Sequence, residues 1–209
     1  MKITQRGLVR AVLAIGSAAI AMGQAPPAAG KGGPPRPVFS VTSAAFPDGG
    51  EIPMKHAVVG ANKSPAFQFH WNLGVNPGTA PDGLQSYAVI LHNIENSNNR
   101  TTTDTLHWAA HNIPGTAAGL PEGLAGGELP DGTKNGPGFA RGGSGPVAYI
   151  GPGASPGPIH HYMFEFYALD TKLTLPATST RDDLMKAMDG HVIGKAVYFG
   201  RFHLPALPN

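Results

Sequence analysis

The sequence predicts a β-dominated fold, a β-sandwich with one or two small helices. Three observations predict it: apolar–polar alternation in "SPAFQFHW", a nearly unbroken apolar run in "YAVILH", and a single segment with helical capping. In the first, Phe67, Phe69 and Trp71 alternate with Gln68 and His70, so one face of a strand is apolar. The second, Tyr87–His92, suits a central strand buried on both faces. "HWAAHNI" and "HYMFEFYAL" read as further strands; in the latter Tyr162, Phe164 and Phe166 share one face, opposite Met163, Glu165 and Tyr167. The helix is "RDDLMKAMDG". Thr180 can cap it, Asp182 and Asp183 suit its positive end, Gly190 suits its stop, and Leu184, Met185 and Met188 give a buried side. "KAVYFGRF" reads as a last strand.

A chain of 209 residues favours one domain with a substantial core. Its start has the layout of a secretory signal: Lys2, Arg6 and Arg10 precede the apolar run Ala11–Met22, which is short for a membrane span. Small residues Ala21 and Gly23 suggest cleavage before Gln24; an uncleaved N-terminal anchor is the alternative. The expected organisation is a signal peptide at 1–23, a Pro/Gly/Ala-rich linker at 24–37 and the domain at 38–209. The protein is then exported, periplasmic or secreted, with no transmembrane span in the mature chain. Cleavage removes three basic residues and no acidic one, so the formal charge falls from +2 to −1. That leaves no electrostatic reason to expect nucleic acid. Without cysteine there is no disulfide, no cysteine nucleophile and no zinc–thiolate site.

Chemistry gathers at two histidine-bearing stretches. His160 and Tyr162 are two apart on a strand, so imidazole and phenol point to one face, at the end of a long loop in which half of residues 130–159 are Gly or Pro. Together they offer hydrogen-bond donors to an anion or polar head group; a strand-end histidine beside a core tyrosine is the plainer reading. His107 and His111 have the HxxxH spacing of a helical metal site, but on a strand they stand about 13 Å apart, too far to bind one ion. A metal would need one of them together with His160, His92 or Glu95. "GGSGP" around Ser144 lacks the spacing of a nucleophile elbow, and "GPGASPG" lacks the lysine of a phosphate-binding loop.

Taken in order, "FPDGGEIPMKHA", "GANKSPAFQFHW", "YAVILHNIENS", "LHWAAHNIP", "YIGPGASPGPIHHYMFEFYALD" and "GHVIGKAVYFGRF" resemble the phosphatidylethanolamine-binding protein (PEBP) family, in its bacterial Raf-kinase-inhibitor-like (YbhB/YbcL) branch. The resemblance covers Val38 to His203. It implies a PEBP-like β-sandwich with a small anion-accepting pocket at one end, built from an aspartate in DPDxP, a histidine in an HW or HH pair and an HxY strand start. His107 with Trp108 matches the second element, and His160 with Tyr162 the third. The first departs: in "NIENS", Asn93 and Glu95 replace the two aspartates and both prolines are gone; the GPxPP loop is reduced to "GPGAS". The expected function is therefore a binding protein, not an enzyme, without metal or cofactor, for a small anion or phospholipid head group. His107, His160 and Tyr162 would contact the ligand, Asn93 and Glu95 orient it, and Trp108 wall the pocket. The alternatives are a metal-assisted hydrolase using the histidines and an inhibitor-like module acting on another protein.

Overall fold

The computed structural model describes residues 38–72, 79–96, 102–136, 148–154 and 156–205. The expected signal peptide, the linker and the "GGSGP" stretch around Ser144 lie outside these residues. The described chain is mostly β, in two sheets. The smaller has the order β1 (Val38–Thr42), β3 (Phe67–Asn72), β6 (Gly119–Leu120). The larger runs β2 (Gly50–Glu51), β10 (Val192–Phe202), β9 (His160–Leu169), β4 (Ser86–Asn93), β5 (Thr105–Pro114), β8 (Lys134–Asn135), β7 (Gly127–Glu128). Neighbouring strands are antiparallel except β2 with β10. No helix among the described residues is long and apolar enough to cross a membrane.

The alternation in β3 does what its period requires. Phe67, Phe69 and Trp71 are buried between the sheets while Gln68, His70 and Asn72 are exposed. Phe67 meets Phe164, Phe166 and Tyr198 with ring centroids 5.1, 4.9 and 5.6 Å apart. Phe39 of β1 stacks on Trp71 at 4.9 Å and Tyr87 at 5.3 Å. Such pairs add about 0.5–1.5 kcal/mol each beyond the burial of their area. Without disulfides, this aromatic layer is the main adhesive between the sheets.

β4 is buried along its whole length because the large sheet is covered on both faces. Tyr87, Val89 and Leu91 join the aromatic layer, whereas Ala88 and Ile90 face the other way. That second face is closed by Leu173 and by Leu184 and Met188 of the helix α1 (Arg181–Met188). Thr180 caps α1 in a reciprocal box: its hydroxyl accepts from Asp183 N–H, and Asp183 accepts from Thr180 N–H at 3.1 Å. Met185, expected on the buried side, is exposed. The inner stripe of this two-turn helix is Leu184, Ala187 and Met188, and Met185 is rotated off it.

At one end of the helix-covered face the apolar layer gives way to charge. His92 lies between two carboxylates, its Nδ1 on Asp104 and its Nε2 3.3 Å from Glu165 Oε2. Arg181 of α1 bonds Asp104, and Lys195 of β10 bonds Glu165 at 2.6 Å while standing over the Tyr167 ring. The His92 contact, reinforced by Lys195 against the opposing effect of burial, holds the Glu165 carboxyl down at about 2.

Candidate functional site

The end of β4 and the starts of β5 and β9 lie at the same end of the large sheet. The two histidine-bearing strands do not adjoin each other; β4 runs between them. Asn93, the last residue of β4, pairs with Tyr162 on one side and Thr105 on the other. Across β5 the register passes from Leu91–Trp108 to His92–Leu106, so His107 is the extra residue of a β-bulge. In a regular strand His107 and Trp108 would face opposite ways. The bulge turns the His107 ring inward, where it meets Tyr162 edge to face at 5.2 Å.

Asn93 is the hub. Its Nδ2 lies 3.0 Å from His160 Nδ1 and donates to Tyr162 Oη at 3.2 Å. The Gly153 N–H reaches the same phenol oxygen at 3.4 Å. His107 Nδ1 donates to the Ile150 carbonyl at 2.9 Å, and Ile150 N–H returns a bond to the His107 carbonyl at 2.9 Å. The loop 148–154 is thereby sewn to β5. Its other side rests on the 3-10 turn Met54–His56: Tyr149 Oη donates to the His56 carbonyl at 2.9 Å, and Val58 N–H to the Pro152 carbonyl at 3.0 Å. Gly151 passes so close that a Cβ there would overlap the His56 carbonyl.

Burial lowers the affinity of His107 for a proton, more than the nearby Ile150 and Gly151 carbonyls restore it. Burial likewise pushes the Tyr162 phenol up, outweighing the N–H donors aimed at its oxygen. Both groups are neutral near pH 7. His160 is the member at the surface; Asn93, His107 and Tyr162 form a nearly closed polar floor behind it.

Four of the six expected site residues thus converge: Asn93, His107, His160 and Tyr162. Glu95 contributes its backbone, donating to Asn93 Oδ1 at 3.2 Å, but its carboxylate turns to His161, binding the backbone N–H at 2.8 Å and the ring Nδ1. His161 faces the other side of the sheet, where it lines a shallow depression with Asp48, Gly49, Phe199 and Arg201. Trp108, expected to wall the pocket, is fully buried instead; its Nε1 donates to Asn135 Oδ1 at 2.6 Å, and its ring abuts Tyr149. His111 bonds the Leu175 carbonyl at 3.1 Å and takes no part. His92 serves the charged network on the opposite face. Among the described residues no three His, Asp, Glu or Cys side chains are grouped to hold a metal ion. The backbone partners Ile150 and Gly153 carry no side-chain signal; only the glycine-proline composition of their loop marks them.

The family model for phosphatidylethanolamine-binding protein matches residues 42–203. Among curated relatives, a UPF0098 protein of Methanothermobacter thermautotrophicus is 37% identical over 159 residues, 76% of this chain and 94% of that protein. Another, from Pyrococcus abyssi, is 35% identical over 149 residues, 69% of this chain and 82% of that one. Among solved structures, a phosphatidylethanolamine-binding protein homologue from Chlamydia trachomatis superposes with a TM-score of 0.61 at 27% identity, covering 79% of this chain and 97% of that one. Escherichia coli YbcL shares the fold with a TM-score of 0.63 at 24% identity, over 79% and 98% of the two chains. The chain belongs to the phosphatidylethanolamine-binding protein family, in the branch of the bacterial and archaeal UPF0098 proteins.

Proposed function

We propose that this protein is an exported binding protein for a small anion or phospholipid head group, and that it works by binding rather than by catalysis. One observation carries the reading: the Asn93 amide, the His160 ring and the Tyr162 phenol meet at 3.0–3.2 Å, with the His107 ring against Tyr162, at one end of the sheet. Hydrogen-bond donors at a mostly buried position hold an anion by direct bonds rather than through water. The match to a family named for phosphatidylethanolamine binding supports the ligand class. The signal-like start supports export.

The test is calorimetric titration of the full chain and of His160→Ala with inorganic phosphate and with glycerophosphoethanolamine. Saturable binding by the wild type, weakened about tenfold or more in His160→Ala, is the expected result. Equal binding by both proteins, or none by either, overturns the assignment. N-terminal sequencing of the exported protein should read from near Gln24; a mature chain that keeps Met1 overturns cleavage.

A further inference from the structure

Asn93 stands where the family resemblance leads one to expect an aspartate, and its hydrogen bonds show what the exchange does. The Glu95 backbone N–H can only donate, and Asn93 Oδ1 lies 3.2 Å from it. The amide nitrogen, also only a donor, is left facing His160 Nδ1 at 3.0 Å; Oδ1 is farther from that ring nitrogen, at 3.3 Å. A donor aimed at Nδ1 requires a lone pair there, so the neutral His160 ring carries its proton on Nε2. The Tyr162 oxygen accepts from both Asn93 and Gly153, which leaves the phenol to donate its own proton elsewhere. His107 has the opposite sense. Its Nδ1–H is taken by the Ile150 carbonyl, so its Nε2 bears the lone pair.

We propose that Asn93 is a positioning residue: it fixes His160 as the Nε2–H tautomer, so that His160 and Tyr162 donate, His107 accepts, and the site selects an oxyanion that still carries a proton, a phosphate monoester as its monoanion. A phosphodiester, glycerophosphoethanolamine included, has no proton to offer His107 and should bind more weakly than inorganic phosphate or a monoester. An aspartate at position 93 would reverse the pattern, because a carboxylate only accepts: it would draw Nδ1–H of His160 and the phenol proton of Tyr162 toward itself. The selectivity rests on the binding reading above, whereas the tautomer does not.

The experiment begins with 15N NMR of histidine-labelled full chain without ligand at about pH 8, above the ordinary imidazole range. The expected spectrum shows His160 Nε2 protonated and Nδ1 with the far-downfield shift of a lone-pair nitrogen, and the two exchanged in Asn93→Asp. A wild-type His160 protonated on Nδ1, or a tautomer unchanged in Asn93→Asp, overturns the proposal. Because the first measurement needs only the wild type, misfolding of the variant cannot obscure it. The second arm titrates methyl phosphate and dimethyl phosphate at about pH 7, where an ordinary imidazole is mostly neutral and part of the monoester still keeps one proton. The monoester should bind about tenfold more tightly in the wild type, and Asn93→Asp should lose that preference. Glycerol 3-phosphate in solution and phosphatidate in vesicles present the same group from two sources. Binding of either supports the proposal, and a preference for phosphatidylcholine vesicles over phosphatidate vesicles overturns it. The expected tautomer without any phosphate binding overturns the binding reading and the selectivity built on it; the wrong tautomer in a protein that binds phosphate overturns this proposal alone.

Discussion

His107 and Tyr162 meet edge to face, ring centroids 5.2 Å apart and planes at 82°, across a strand that belongs to neither. The contact exists because a bulge in β5 aims one ring inward and the alternation of β9 aims the other. It keeps His107 in a dry setting, and burial there depresses its proton affinity.

That depression has a definite sign. Below the ordinary histidine value of 6.5 the unfolded chain takes up a proton that folded His107 declines, so this stability is complete above 6.5 and is lost as pH falls below it. Buried His56 and His111 are shifted the same way and add to the slope. In urea denaturation at about pH 7.5 and about pH 5.5, His107→Gln should show a smaller loss of stability between the two than the wild type. An unchanged difference would mean that His107 is not desolvated.

The Glu165 carboxyl titrates lower still. Its folded value of about 2 lies below the ordinary 4.5, so the stability it supplies is complete above 4.5 and is lost as pH falls toward 2. The amount is at most about 3 kcal/mol. Glu165→Gln should be destabilised near neutrality, because His92 and Lys195 lose their common partner, and its acid slope should be shallower over that window. Acid titrations of stability that superimpose for wild type and variant would remove Glu165 from the network.

Gly151→Ala tests how the site is held. A Cβ at this position overlaps the His56 carbonyl, so the loop must withdraw, carrying Ile150 from His107 and Gly153 from Tyr162. The expected cost is about 1–3 kcal/mol of stability together with weakened anion binding. Thermal melting and titration calorimetry read the two effects. A variant that melts and binds as the wild type does would show that the loop is not seated against the 3-10 turn.

The strands were legible in the sequence because their periods follow from burial. Phe67, Phe69 and Trp71 could alternate only if one face were covered, and "YAVILH" could dispense with polar residues only if both were. The helix was legible from its cap, but its inner face was not fully so: a two-turn helix offers too few residues to fix its rotation, and Met185 fell on the wrong side. At the site, strand alternation put His160 and Tyr162 on one face, and the family resemblance put them at one pocket with His107. His107 needed the bulge, which depends on how β5 registers against β4, and no local pattern announces that pairing. Trp108 was misplaced for the same reason, since the bulge puts it on the inner side with its neighbour but deeper in the core. The charged network was invisible because Asp104, Glu165, Arg181 and Lys195 come from four separate parts of the chain.

His92 and Asn93 are successive residues, yet one serves a cage of ions and the other a cluster of hydrogen-bonded rings on the opposite face. A slip of β4 by one position while the sheet assembles would move both to the wrong face: in one direction a neutral amide, in the other Leu91, would meet the carboxylates of Asp104 and Glu165. The same slip would turn Ala88 and Ile90 into the aromatic layer and Tyr87 and Val89 out of it. Misaligned chains are thus penalised on both faces at once, by unpaired carboxylates on one and by lost ring contacts on the other. The end of β4 proofreads the pairing of its own sheet, so folding fidelity and ligand chemistry are written into the same two neighbouring residues.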